Sequence, residues 1–304
     1  MEVYFLGTSG GVPSPERSLP CTAVHRNGRT VLLDCGEGSQ RRLMQSPVSL
    51  MSVDHILLSH HHGDHVTGIP GLVQTMDLFS RERPLTIHGP EGTVDLIDDM
   101  MNMYDGPPGY EVQVNDVPPE GSFNIDGLQV YAVPTQHSVA SLGFVLREAT
   151  RPGRFDPGAA KALGVPEGPM FSRLQSGMDV EIGGRKVIPE DVMGEPRRGR
   201  SIAYSGDTLP CDDFAIAARD VCLMVHEATF PDGMEKRAEE SGHSTFSQAA
   251  AVAKRANSRM LVLTHISPRV EDPVEMEKAA MEALGGPFVV AARDMDSIQV
   301  RFPD

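Results

Sequence analysis

Long apolar runs, cysteine and lysine are all scarce in this 304-residue chain, and each scarcity removes a class of protein. No apolar stretch reaches the length of about 18 residues that a membrane-spanning helix needs. The four cysteines, Cys21, Cys35, Cys211 and Cys222, are far apart and form no CxxC pair, which argues against a disulfide framework or a thiolate zinc cluster. A reduced, cytoplasmic compartment is the expectation. The opening MEVYFLG reads as a strand and lacks the basic start, longer apolar region and small-residue cleavage site of a secretion signal. Only five of the 27 basic side chains are lysine, and arginine is the one that grips phosphate bidentately. Against 42 acidic residues they leave a net charge of −15, which on bulk grounds disfavours a nucleic-acid partner. A cation-binding centre would reverse that locally, since two bound divalent ions return about +4 where a phosphate must sit.

What is present is regular structure around an irregular middle. Strands are expected at 2–6 and over 21–34, the latter folded into two by the Asn27-Gly28 turn. A helix follows over 37–45. The apolar run 54–58 reads as a buried strand that ends directly in a histidine-rich segment. Helices are expected at 66–79 and 91–103, with a strand at 85–88 between them and strands near 110–114, 128–133 and 142–147. Residues 151–199 are rich in Pro, Gly and charge, without sustained periodicity. Strands at 201–206, 221–227 and 259–265 resume the pattern, with a helix at 245–256, a helix at 273–284 and strands at 287–291 and 297–301. Strands then helices, twice over, predict an α/β chain folded as a four-layer αββα sandwich. Residues 1–304 form its single domain, with 151–199 inserted as a projecting arm.

The chemistry concentrates in Ser59-His60-His61-His62-Gly63-Asp64-His65, which contains H-x-H-x-D-H. Imidazole and carboxylate are zinc ligands, and open N/O sites are the catalytic kind. Four ligands within six residues cannot all reach one ion from a regular helix or strand, but on a tight loop eased by Gly63 they can divide between two. A terminal, uniform histidine tract would be a nonspecific binder; this one is internal, carries an aspartate and follows a buried strand. Further ligands appear where the sandwich would collect them, each after an apolar run: His137 in VPTQHS, Asp207 in YSGDT and His265 in LTHISP.

These residues resemble the metallo-β-lactamase superfamily, and within it the chain is similar to ribonuclease Z from end to end. The order FLGTSGGVPSPERS, LDCGEGSQRRL, SHHHGDH, the His137 motif, YSGDT, HEATF, GHST and THISPR carries that resemblance. It implies two Zn²⁺ per chain, with Mn²⁺ or Fe²⁺ as possible substitutes. One ion would be held by His60, His62 and His137 and the other by Asp64, His65 and His265, with Asp207 bridging them. It assigns Asp64 as proton acceptor and points to His243 for phosphate contact or leaving-group protonation, oriented by Glu227. It also implies precursor tRNA as substrate and a homodimer in which each arm serves the partner's site. Asp34, at the end of VLLD, is a candidate support for a metal histidine.

The metal motif alone does not choose a substrate, because thioesterases such as glyoxalase II and small-molecule phosphodiesterases share it. The interval between His137 and Asp207 discriminates: in ribonuclease Z it holds an arm that grasps tRNA, and GVPEGPMFSRLQSG (164–177) is similar to that arm's Gly-Pro signature. Gly168 and Pro169 are the candidate substrate contacts there. Residues 151–200 carry nine Lys/Arg against seven acids, whereas the rest of the chain carries 18 against 35. The early loop departs from the family, reading SPERS where a Lys and an Arg-Asn pair are usual; Arg17 is its candidate RNA contact.

Overall fold

Strand β1 (Glu2–Gly7) pairs antiparallel with β2 (Cys21–Arg26), and β2 pairs in the same way with β3 (Arg29–Leu33). Asn27 and Gly28 at the turn have φ values of 50° and 76°, the left-handed pair that a two-residue type I′ hairpin requires. The computed structural model describes residues 1–103, 105–270, 273–284 and 288–303. Strands β4 (Val53–Leu57), β5 (Leu85–Gly89) and β6 (Val112–Asp116) extend this sheet in parallel. Strands β7 (Ser122–Ile125), β8 (Leu128–Pro134) and β9 (Leu142–Glu148) follow, and β10 (Val180–Ile182) and β11 (Arg185–Val187) form a separate hairpin. The chain then adds β12 (Ser201–Tyr204), β13 (Leu223–Glu227), β14 (Met260–Thr264), β15 (Phe288–Ala291) and β16 (Ser297–Gln299). Among the described residues the result is two seven-stranded sheets, ordered β16-β1-β2-β3-β4-β5-β6 and β15-β14-β13-β12-β9-β8-β7.

Adjacent apolar residues on the central strands point to opposite layers, as the period of two dictates for strands covered on both faces. Leu33, Leu57, Phe144, Ile202 and Val225 fill the space between the sheets. Their neighbours Leu32 and Ile56 meet Leu43, Leu72, Met76 and Ile97 from helices Ser39–Gln45, Ile69–Leu78 and Thr93–Met101. On the far side Met224, Leu261 and Leu263 meet Phe214, Phe246, Ala250 and Ala253 from helices Asp212–Ala217 and Phe246–Arg255. Three apolar seams therefore bind four layers, the αββα sandwich expected from the alternation of strands and helices.

The local expectations fail where elements are short. The helix expected over 66–79 is two pieces, Gly63–Val66 and Ile69–Leu78, with Pro70 at the start of the second. Strand β7 and helix Glu235–Ser241 are additional to the expected elements; β7 alternates Phe123 and Ile125 inward but over only four residues, and the helix is seven residues long and buries only Ala238. The strand expected at 287–291 begins at Phe288, residue 287 lying outside the described residues.

The chain divides into two compact units, Met1–Arg147 with Arg200–Arg301, and Glu148–Gly199 with Phe302–Asp304. The second corrects the expectation of an irregular segment. It holds helices Pro157–Ala162 and Pro169–Gln175 and the β10–β11 hairpin around a core of Ala160, Val165, Leu174, Val180, Val187 and Val192. Helices of six and seven residues and strands of three are too short to display a period in sequence. Gly168 and Pro169 are exposed at the start of the second of these helices.

One polar cluster anchors the start of β4, the strand that delivers the histidine segment. The Asp54 carboxylate accepts from Arg81 Nη2 at 2.9 Å, from Arg83 Nη2 at 3.0 Å and from Arg29. Arg81 is buried, also donates to the carbonyls of Arg83 and Pro84, and lies over the Tyr110 ring. Removing one partner of a buried pair leaves the other charge uncompensated. Asp54→Ala should therefore lower the free energy of unfolding by about 3–5 kcal/mol in a denaturant titration, with a loss below about 1 kcal/mol refuting the anchoring role.

Candidate metal centre

The ends of parallel strands lie on one rim of a sheet, which is where this chain keeps its polar residues. His60 follows β4, His137 follows β8, Asp207 follows β12, Glu227 ends β13 and His265 follows β14. The histidine segment is half extended and half helical: His62, with φ −65° and ψ 146°, caps a single turn, Gly63–Val66, that carries Asp64 and His65. Gly63 opens that helical turn rather than easing a tight loop, which corrects the role expected for it.

All seven expected ligands converge. Asp207 Oδ2 is the hub, 3.7 Å from His60 Nε2, 3.4 Å from His65 Nε2, 4.0 Å from His137 Nε2 and 3.3 Å from His265 Nε2. His62 Nδ1 lies 3.2 Å from His137 Nε2, and Asp64 Oδ2 lies 3.5 Å from His65 Nε2 and 3.4 Å from His265 Nε2. The donor atoms form one group of His60, His62, His137 and Asp207 and another of Asp64, His65 and His265, each within 4.8 Å. Ligands about 2.1 Å from a tetrahedral ion stand roughly 3.4 Å apart, so these spacings match those of a metal-binding set. His60 Nε2 and Asp207 Oδ1 are buried without a hydrogen-bond partner. Such an atom costs about 1–3 kcal/mol if left unsatisfied, which a cation among the ligands relieves.

Electrostatics prepares the same set. Burial, and then the neighbouring His65, push His60 down to about 2, leaving a neutral imidazole with a free lone pair. Burial opposes charge on His65, but the carboxylates of Asp207 and Asp34 outweigh it and raise its pKa well above the usual imidazole value. Burial likewise opposes charge on Asp207, and His265, His65 and His60 overcome it, holding that carboxyl ionised. His60 and Asp207 thus present free lone pairs to a cation, and at His65 a cation can replace the proton.

The outer nitrogen of the ligand rings is held in turn, which fixes which nitrogen faces inward. His65 Nδ1 meets Asp34 Oδ2 at 2.7 Å, His137 Nδ1 donates to the Gly242 carbonyl at 2.8 Å, and His265 Nδ1 meets Thr229 Oγ1 at 2.8 Å. Asp34 therefore hydrogen-bonds His65, one of the candidate ligand histidines. Asp34 and His265 have φ values of 58° and 54°, a region non-glycine residues rarely occupy. They are two of nine non-glycine residues with positive φ among the described residues, and the two that belong to the rim.

His243 lies beside the ligands, in the link between helices Glu235–Ser241 and Phe246–Arg255. Its Nδ1 is 2.8 Å from Glu227 Oε1 and 3.9 Å from Asp207 Oδ2. It also falls in a third possible ligand group with Asp207 and His265, but the closer Glu227 engages it. Burial disfavours its charge, yet Glu227 and then Asp207 more than offset this and raise it to about 9. Glu227 is buried and also accepts from the Thr208 and Thr229 amides at 3.0 Å each. Arg17 points elsewhere: its Nη1 donates to Thr8 Oγ1 and to the Ala292 carbonyl.

Sequence reasoning missed the residues that hold others in place. Thr229 bridges Glu227 Oε2 and His265 Nδ1, and Tyr204 and Ser59 both donate to Asp34. All three lie inside the motifs SHHHGDH, HEATF and YSGDT, and that membership is the signal that could have found them.

A model of the beta-lactamase superfamily domain matches residues 29–160. Over 275 residues, 90% of each chain, the sequence is 46% identical to a ribonuclease Z of Methanosarcina acetivorans. Over 307 residues it is 44% identical to a ribonuclease Z of Halorubrum lacusprofundi, covering 100% of this chain and 98% of that one. The fold is similar to the crystal structure of human tRNase Z, short form, with a TM-score of 0.73 and 27% identity, covering 99% of this chain and 100% of that one. Sequence relatives over the whole chain, a shared fold and the convergent His/Asp rim agree: the chain belongs to the ribonuclease Z family of the metallo-β-lactamase superfamily.

Proposed function

We propose that this hydrolase of the ribonuclease Z family is a zinc-dependent endoribonuclease that removes the 3′ trailer from precursor tRNA, leaving a 3′-hydroxyl on the tRNA and a 5′-phosphate on the trailer. The observation that carries the reading is the rim itself: two donor groups with Asp207 Oδ2 within 4.0 Å of histidines from both, and His60 Nε2 and Asp207 Oδ1 buried and unpartnered. His60, His62 and His137 would hold one zinc and Asp64, His65 and His265 the other, with Asp207 between them; manganese or iron can occupy the same N/O donors. Two such ions activate water and neutralise charge on a phosphodiester undergoing in-line displacement.

The side chains supply the rest. Asp64, only partly buried and held ionised by His265 and His65, faces the position from which it accepts the attacking water's proton. His243, cationic at neutral pH, has its Nδ1 occupied by Glu227, so Nε2–H is the proton offered to the departing 3′-oxygen. Glu227 orients that ring and stabilises its charge. The unit at 148–199, with Gly168 and Pro169 exposed, is the tRNA-gripping arm, and residues 151–200, with nine basic against seven acidic side chains, sit in an otherwise acidic chain. The chain works in the cytoplasm as a homodimer in which each arm serves the partner's site.

Asp64→Ala should reduce precursor-tRNA cleavage by about 100- to 10,000-fold while circular dichroism stays native; undiminished cleavage would remove its assigned role. Asp34→Asn should weaken zinc binding by about 10- to 100-fold in a chelator competition, because His65 loses the partner of its outer nitrogen. Deleting residues 155–195 should impair tRNA binding far more than hydrolysis of bis-p-nitrophenyl phosphate, and equal losses would refute an RNA-gripping arm. Thioester hydrolysis without tRNA cleavage would overturn the reading as a whole.

A further inference from the structure

The loop at residues 9–18 touches both acidic and imidazole ligands of the centre. The Gly11 amide donates to Asp64 Oδ2 at 3.0 Å. A Cβ built on Gly10 would stand 2.7 Å from His265 Nδ1 and 2.8 Å from the His265 carbonyl, so only a glycine backbone can lie this close to that ring. The loop's first residues are stitched to the segment after His265: Ile266 N donates to the Thr8 carbonyl at 2.9 Å and Gly10 N to the Ile266 carbonyl at 3.1 Å. Its two ends are closed on each other by Ser9 N donating to the Ser18 carbonyl at 2.9 Å.

Three charged side chains lock that base. Asp294 accepts from Thr8 Oγ1 at 2.7 Å, from Ser18 N at 2.6 Å and from Arg42 Nη2 at 3.0 Å, and its side chain is 5% exposed. Arg42 Nε donates to Ser18 Oγ at 2.6 Å, tying the same residue a second time. From the other side Arg17 Nη1 donates to Thr8 Oγ1 and, at 2.7 Å, to the Ala292 carbonyl. Thr8 is thus gripped by both Arg17 and Asp294.

We propose that Arg17 and Asp294 are positioning residues: they fix the base of the loop at 9–18 so that the Gly11 amide orients the Asp64 carboxylate and the Gly10 backbone seats the His265 ring. The assignment rests on the reading of Asp64 and His265 as ligands, and it replaces RNA contact as the role of Arg17. An amide donor to an ionised carboxylate is a strong, directional bond, and it holds one oxygen of Asp64 while leaving the other to the reaction. Loss of such supporting contacts typically costs about 10- to 100-fold in metal affinity or rate.

The test compares Arg17→Ala, Asp294→Ala and the near-isosteric Asp294→Asn, which keeps the volume of the site should the alanine variant fail to fold. Three quantities are read: zinc affinity by chelator competition, affinity for precursor tRNA, and the rate at saturation on both precursor tRNA and bis-p-nitrophenyl phosphate. Each variant is expected to bind at least one zinc more weakly and to lose about 10- to 100-fold in saturated rate on both substrates, with tRNA affinity unchanged. Weaker tRNA binding in Arg17→Ala with zinc affinity and saturated rates intact would overturn the proposal and make Arg17 an RNA contact. Variants unchanged in all three would overturn it as well. A wild-type protein that binds zinc and cleaves the aryl diester but not tRNA would refute the proposed substrate, while the zinc and aryl-diester readings would still decide this assignment.

Discussion

Asp34 is a fully buried carboxylate that accepts four hydrogen bonds, and the arrangement of the rim depends on it. Its donors are Ser59 N at 2.7 Å, Ser59 Oγ at 2.8 Å, Tyr204 OH at 2.6 Å and His65 Nδ1 at 2.7 Å. Asp34 follows β3 and Ser59 follows β4 in one sheet, while Tyr204 ends β12 in the other. A buried charge costs several kcal/mol unless it is paired and hydrogen-bonded, so the fold is held to the geometry that brings these strand ends together. That geometry places His60 directly after Ser59, turns Nε2 of His65 toward Asp207, and leaves Asp207 three residues beyond Tyr204. The metal-binding arrangement is in this sense a consequence of closing the sandwich around one carboxylate.

The division between strand bodies and strand ends explains how one chain is both stable and reactive. The bodies are apolar on both faces and spend their burial on packing three seams. The ends carry groups that are poorly satisfied without a cation, including an orphaned imidazole nitrogen and a carboxylate oxygen. Strained φ values at Asp34 and His265 add to that cost, and the packed layers bear it. The candidate ligands therefore sit where rigid elements stop, positioned by the sheets but not part of their ladders.

The sequence made the ligands legible because each is announced locally: an apolar run sets the strand, and a polar residue follows it. The hairpin at Asn27-Gly28 is legible for the same reason, since two residues encode the turn. What stays hidden is contact across sequence distance. Arg17 reads as an exposed loop cation, and nothing nearby reveals that its guanidinium meets the Ala292 carbonyl. Asp294 gives no signal at all, although it joins Thr8, Ser18 and Arg42. The unit at 148–199 was read as irregular because its elements are shorter than the window in which a period can be counted. Its core of small aliphatic residues became visible only once the chain was folded.

The acidic balance of the chain bears on selectivity more than on affinity. At physiological salt, charges more than about 8 Å apart are largely screened, so a phosphate at the centre feels the ligands and ions beside it rather than the distant surface. That surface, with 35 acids against 18 basic residues outside 151–200, repels nucleic acid in general and keeps nonspecific binding weak. On the proposed function, productive binding then depends on the local contacts a substrate makes at the cation-binding rim rather than on the surface as a whole. A polyanion that lacks those contacts gains too little to offset the repulsion, and so the same net charge that weighs against an RNA partner in bulk would restrict which RNA is held.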